Sequence, residues 1–212
     1  MFLPFTLVLR EILPARGFIV DAGVIIVRDP LLTRRILVAY ASRNGSTAKI
    51  AKAVAQELSA AGCLVDVSEM NSVASLTGYS GVVIGAPLYM GDLVKDVAKF
   101  IRKFREPLAV LPVASFAVGL TPVSEQVGNV DHAMECIHSA LAPLKPVGTI
   151  LFAGKLDPAK LGFIQRKMME LGKVPSGDFR NWNLIEAWVR DLPAKMGIEK
   201  TADSGRMINQ SR

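Results

Sequence analysis

Residues 36–51, ILVAYASRNGSTAKIA, contain a strand, a loop and the start of a helix in immediate succession. Ile36 to Tyr40 is a continuous apolar run, the composition of a strand covered on both faces of a sheet. From Thr47 to Ala61 apolar side chains return at helical spacing, with Ile50, Val54, Leu58 and Ala61 on one face, and Gly62 stops the run. Between the two lies Ala41-Ser42-Arg43-Asn44-Gly45-Ser46-Thr47, where hydroxyls, an amide, a guanidinium and a glycine gather at a helix N-terminus. The first N–H groups of a helix lack intrahelical acceptors, and its dipole favours negative charge there, so such a loop suits a phosphate. The plainer reading is that Ser46 or Thr47 only caps the helix. Neither GxxxxGK[ST] nor GxGxxG occurs in this loop.

Outward from this stretch, short β-rich runs alternate with helical patterns, the order expected of a parallel sheet with helices on both faces. Leu64 to Val67 reads as a second strand, and Gly81 to Ala86 as a third that ends at Pro87. Asp92 to Phe104 reads as a helix with Val94, Val97, Ile101 and Phe104 inward. Pro112 to Gly119 is a fourth strand, Val130 to Leu141 a helix, Val147 to Ala153 a fifth strand, and Trp182 to Ala194 the last helix. The expected fold class is α/β, a doubly wound five-stranded parallel sheet, in one domain over residues 35–194 with an insertion of residues 154–181 after strand five. Within the insertion Leu161, Ile164, Met168 and Leu171 share a helical face.

Residues 1–34 form an N-terminal extension, expected to be poorly ordered, and residues 195–212 a flexible tail. The extension's apolar runs are broken by Arg10, Glu11, Arg16 and Asp21, so neither reaches the roughly 20 residues needed to span a bilayer. It reads either as an amphipathic surface anchor or as upstream sequence preceding a start near Thr33.

The chain has 212 residues, a net charge of +6 and two cysteines, Cys63 and Cys136. Two cysteines without a CxxC exclude a disulfide scaffold and suit a reducing cytosol. Residues 1–35 carry five Arg against three acids, residues 195–212 four cations against two acids, and residues 36–194 sixteen against fourteen. The body is therefore close to neutral and has no basic run, so no nucleic-acid partner is expected.

The stretch ILVAYASRNGSTAKIA resembles the start of flavodoxin-family domains, whose first loop binds the phosphate of FMN. The resemblance implies a strand order of 2-1-3-4-5 and a cofactor set drawn from three loops. In the first, Ser42, Arg43, Asn44, Gly45, Ser46 and Thr47 would take the phosphate. In the second, Pro87, Leu88, Tyr89, Met90 and Gly91 would meet the flavin, with Tyr89 over the apolar ring and Gly91 turning the backbone. The third, Gly119-Leu120-Thr121, would line the other ring edge. The layout, insertion included, also resembles the flavodoxin-like protoporphyrinogen dehydrogenases that use menaquinone. That implies an FMN-dependent oxidoreductase with a quinone or small hydrophobic substrate and no protein nucleophile or metal. The location expected is cytoplasmic, with peripheral contact at the inner face of the cell membrane as a variant.

Other constellations carry less. Lys95, Lys99 and Arg102 share a helix face that could meet porphyrin propionates or anionic headgroups, or be solvated beside Asp92, Asp96 and Glu106. Glu135-x-x-His138 has di-iron spacing but lacks the second motif such sites require. Cys63 reads as a small buried hydrophobe, and Trp182 and Trp188 as anchors of the last helix. A second functional class remains open, a flavodoxin-like electron carrier that shuttles electrons between proteins. Carriers of that family are strongly acidic around the flavin, and this body's near neutrality favours the enzyme.

Overall fold

The computed structural model describes residues 17–21, 24–28, 34–89, 91–123, 129–160 and 176–198. Strands β1 (Gly17–Asp21) and β2 (Val24–Arg28) pair antiparallel within the N-terminal extension. The main body starts with β3 (Arg35–Tyr40), α1 (Ser46–Ala60) and β4 (Leu64–Glu69). It continues through β5 (Gly81–Tyr89), β6 (Asp92–Leu93), α2 (Lys95–Lys103), α3 (Arg105–Val110) and β7 (Val113–Gly119). Then come α4 (Val130–Leu141), β8 (Gly148–Ala153), β9 (Lys155–Leu156), β10 (Gly177–Asp178), α5 (Trp182–Arg190) and α6 (Leu192–Lys195).

The five parallel strands lie in the order β4-β3-β5-β7-β8, the expected 2-1-3-4-5. Side chains alternate across the sheet with the period of two that a pleated strand imposes. Ile36, Val38, Val83 and Phe116 pack towards α1 and α5, whereas Leu37, Ala39, Val82, Ile84 and Ala117 pack towards α2 and α4. The central strands are covered on both faces, which explains their unbroken apolar text.

Three expectations about element boundaries change. β5 does not stop before Pro87 but runs on to Tyr89, because the β3 ladder has already ended at the Tyr40–Gly85 pair and Pro87 faces only Val118 of β7. The helix expected from Asp92 begins at Lys95. Asp92 and Leu93 instead fold back antiparallel onto Tyr89 and Leu88. The body also extends past residue 194, since Met196 and Ile198 are buried and Ile198 packs at Gly81. The expected insertion helix, Leu161 to Leu171, lies outside the described residues. Cys63 is buried, as read. Trp188 anchors α5 edge-on against Phe116 and Phe152, but Trp182 stays 42% exposed.

Candidate functional site

A cleft opens at the carboxyl ends of β3, β5 and β7, beside the point where the strand order reverses and where such sheets bind ligands. Asn44, Ser46 and Thr47 form one side, and Pro87, Leu88 and Tyr89 continue it from β5. Val118, Gly119 and Leu120 follow from β7, and Gly154, Lys155 and Leu156 close it after β8. Its volume of about 150 Å³ is well below that of an enclosing small-molecule pocket, roughly 300–1,000 Å³, so the cleft is too small to enclose a small molecule.

The first loop owes its shape to Gly45 and Ser42. Gly45 is the residue before the helix and adopts φ +83°, a left-handed conformation that glycine tolerates without strain. The Ser42 Oγ accepts hydrogen bonds from the backbone N–H groups of Gly45 (3.2 Å) and Ala48 (3.4 Å). Capping thus falls to Ser42 and not, as the simpler reading had it, to Ser46 or Thr47. The N–H groups of Ser46 and Thr47 at the helix start consequently meet no acceptor among the described residues, and the first turn holds no acidic side chain. Two free donors and the positive end of the α1 dipole therefore belong to residues that line the cleft, a fit for a phosphate. The Ser46 Oγ accepts from the N–H of Lys155 at 3.1 Å, which ties the chain after β8 to the loop. Thr47 is 2% exposed and fixes the floor.

The opposite wall is apolar, with Pro87, Leu88, Val118, Leu120 and Leu156. Tyr89 stands at its rim, 44% exposed. Burial raises its phenol above the ordinary value of 10, and the nearby Arg43 guanidinium pulls weakly the other way. The folded protein thus favours the neutral phenol: the stability gained is present below pH 10 and is lost as pH rises through the higher folded value. Ultraviolet titration of the wild type against Tyr89→Phe should show one phenol ionising above 10. A difference titration centred at or below 10 would refute that environment.

Of the residues expected to bind, Asn44, Ser46, Thr47, Pro87, Leu88, Tyr89, Gly119 and Leu120 meet in the cleft. Gly45 and Ser42 shape the loop without lining this cleft, Arg43 acts on Tyr89 by charge alone, and Thr121 lies beyond the lining. Gly91 has φ +87° and is not among the lining residues. Met90 lies outside the described residues. The sequence reading overlooked Val118, Gly154, Lys155 and Leu156. Their signal was positional, since a glycine and a cation directly after the fifth strand must emerge on the same edge of a parallel sheet as the first loop. An added Cβ at Gly154 would meet Val118 at 3.0 Å and the Ser46 Oγ at 3.6 Å, which shows how closely that segment approaches.

Elsewhere, His132 sits 3.7 Å from both Cys136 and Glu135 on an exposed stretch of α4. Among the described residues no three His, Cys, Asp or Glu side chains are grouped to hold a metal. Lys95, Lys99 and Arg102 are exposed and make no ion pair with Asp92, Asp96 or Glu106. No helix among the described residues is long and apolar enough to cross a membrane.

The protoporphyrinogen IX dehydrogenase [quinone] of Escherichia coli K12 is 30% identical over 88 residues, 41% of this chain and 49% of that protein. The aligned region thus spans about half the length of the curated relatives it matches. Among solved structures, oxidised flavodoxin 2 of Bacillus cereus is 28% identical, covering 56% of this chain and 85% of its own, with a TM-score of 0.39. The flavodoxin of Streptococcus pneumoniae TIGR4 is 20% identical, covering 76% and 99%, with a TM-score of 0.45. The family model for the flavodoxin domain matches residues 37–180, more than half of the chain. The chain therefore belongs to the flavodoxin domain family, and its cofactor is FMN.

Proposed function

We propose that this protein is an FMN-dependent oxidoreductase that oxidises a small hydrophobic donor of the protoporphyrinogen IX type and passes the electrons to a quinone. The observation that carries the FMN part is the cleft itself, with unpartnered N–H groups of Ser46 and Thr47 at one end and an apolar wall with Tyr89 at the other. The donor and acceptor rest on the partial likeness to the Escherichia coli dehydrogenase and on the near-neutral body. Bound FMN supplies reversible one- and two-electron chemistry. The protein's own residues then position and shield. Ser46 and Thr47 would hold the phosphate through their N–H groups, with Asn44 beside them. Pro87, Leu88, Gly119 and Leu120 would hold the ring, and Tyr89 would exclude water from it. Location in the cytoplasm, with peripheral contact at the membrane where quinones reside, belongs to the same proposal.

The openness of the cleft favours a second reading, an electron carrier whose flavin edge meets protein partners directly. Anaerobic mixing of the FMN-loaded protein with protoporphyrinogen IX separates the two. Bleaching of the flavin, appearance of porphyrin fluorescence and reoxidation by a menaquinone analogue are expected. A flavin that ignores the porphyrinogen yet is reduced by a flavodoxin reductase would establish the carrier instead.

A further inference from the structure

Outside the cleft lining, α4 carries three side chains of complementary chemistry on its solvent side. His132, Glu135 and Cys136 stand at i, i+3 and i+4, the spacing that makes neighbours on a helix surface. The His132 Nε2 lies 3.7 Å from the Cys136 Sγ, and its Nδ1 lies 3.7 Å from the Glu135 Oε2. Each partner thus takes a different ring nitrogen, and the three form no group that could hold a metal. A carboxylate beside Nδ1 favours the tautomer with its proton there, which leaves Nε2 to accept the thiol proton. A nucleophile, a base within reach and a third group that orients the base is the arrangement that activates a thiol. The other cysteine has no such setting: Cys63 is buried in the core under α1, whereas Cys136 is only half-buried.

The place of this thiol gives its chemistry a consequence. α4 packs against β6, the short strand that folds Asp92 and Leu93 back onto Tyr89 and Leu88. Gly91 stands in the turn between them, and a Cβ built on it would lie 3.9 Å from the Cys136 Sγ. Leu88 and Tyr89, on the other side of that turn, line the cleft. A group attached to the sulfur therefore competes for space with the turn that sets two cleft residues.

We infer that Cys136 is a thiol-exchange site for small disulfides, with His132 as its proton acceptor, and that the mixed disulfide weakens cofactor binding. In the exchange the Cys136 sulfur attacks one sulfur of the disulfide, a new S–S bond forms and the old one breaks. The second half of the disulfide leaves as a thiolate, and the thiol proton passes to the His132 Nε2. Cys136 is oxidised as the departing half is reduced, so the disulfide itself is the only oxidant needed. A free thiol reverses the step. The effect on the cofactor rests on the flavin reading above, but the exchange itself does not.

The test uses the full chain, Cys136→Ser and His132→Gln, with glutathione disulfide as the probe. Mass spectrometry of the intact chain and of its peptides follows adduct formation. One adduct on Cys136 and none on Cys63 is expected, and His132→Gln should react slower by roughly tenfold or more with an unchanged Tm. Fluorescence titration of the modified wild type should show FMN affinity lowered by roughly tenfold through crowding of the turn, and dithiothreitol should restore it. Cys136→Ser given the same treatment should keep its affinity. An unmodified Cys136, a His132→Gln protein that reacts at the wild-type rate, or a modified wild type with unaltered FMN affinity overturns the inference. Should the untreated wild type bind no FMN, the flavin reading fails instead, and the site and rate of adduct formation decide the exchange.

Discussion

Phe116→Ala is expected to lower the free energy of unfolding by about 3–5 kcal/mol, the range for removing a buried phenylalanine. Phe116 is 2% exposed on β7 and stands opposite Gly85 of β5 in the parallel register. Its ring lies 5.9 Å from that of Phe152 and 6.2 Å from that of Trp188, so one side chain joins two strands to α5. The glycine opposite is part of the same construction. A Cβ added at Gly85 would fall 2.2 Å from the Phe116 Cζ, closer than any real contact, and the ring would have to leave its place. Gly85→Ala is therefore expected to cost about 1–3 kcal/mol or more through overpacking. The two changes should not add. Once the ring is gone, the alanine methyl at position 85 enters vacated space, so the double variant should be more stable than the sum of the single losses predicts, by more than the roughly 0.5 kcal/mol expected of independent sites. Urea denaturation of the three variants measures this cycle. Strict additivity would refute the ring-over-glycine packing.

That pair shows where the sequence is legible and where it is not. The apolar runs at 36–40 and 81–86 and the helical spacing of Ile50, Val54 and Leu58 specify strand, helix and sheet order because periodicity is a local property, and those three side chains are buried as expected. Gly85, by contrast, sits inside an apolar run, and nothing local distinguishes a glycine that seats a ring from one that merely weakens a strand. Pro87 was misread for a related reason. A proline ends a strand only if a neighbour needs its N–H, and whether β3 still runs alongside is a matter of register. The loops divide in the same way. Asn44, Ser46, Thr47 and Tyr89 were legible because donors and an aromatic at a strand's carboxyl end have few other uses. Lys155 was not, since it lies 109 residues beyond Ser46 and meets the first loop through the bond from its N–H to the Ser46 Oγ.

Ser46→Asp should stabilise the flavin-free protein and abolish cofactor binding, two effects of opposite sign from one charge. At the first position of α1, a carboxylate meets the positive end of the helix dipole, where acids contribute about 0.3–1 kcal/mol. It can also still accept the Lys155 N–H that the serine hydroxyl accepts at 3.1 Å. The fold therefore loses nothing it uses, and the first turn gains the acidic residue it lacks. For a phosphate seated on the N–H groups of Ser46 and Thr47 the same carboxylate is a like charge at close range. Two unit charges about 4 Å apart at an effective dielectric of roughly 20 repel by about 4 kcal/mol, close to a thousandfold in affinity. Salt should soften this loss, and riboflavin, which carries no phosphate, should escape most of it. Thermal unfolding of the flavin-free protein and fluorescence titration with both flavins provide the two readouts. A mere capping role for residue 46 accounts for the rise in Tm but not for a loss confined to FMN, so retention of FMN affinity by a stabilised Ser46→Asp protein would move the phosphate away from this helix.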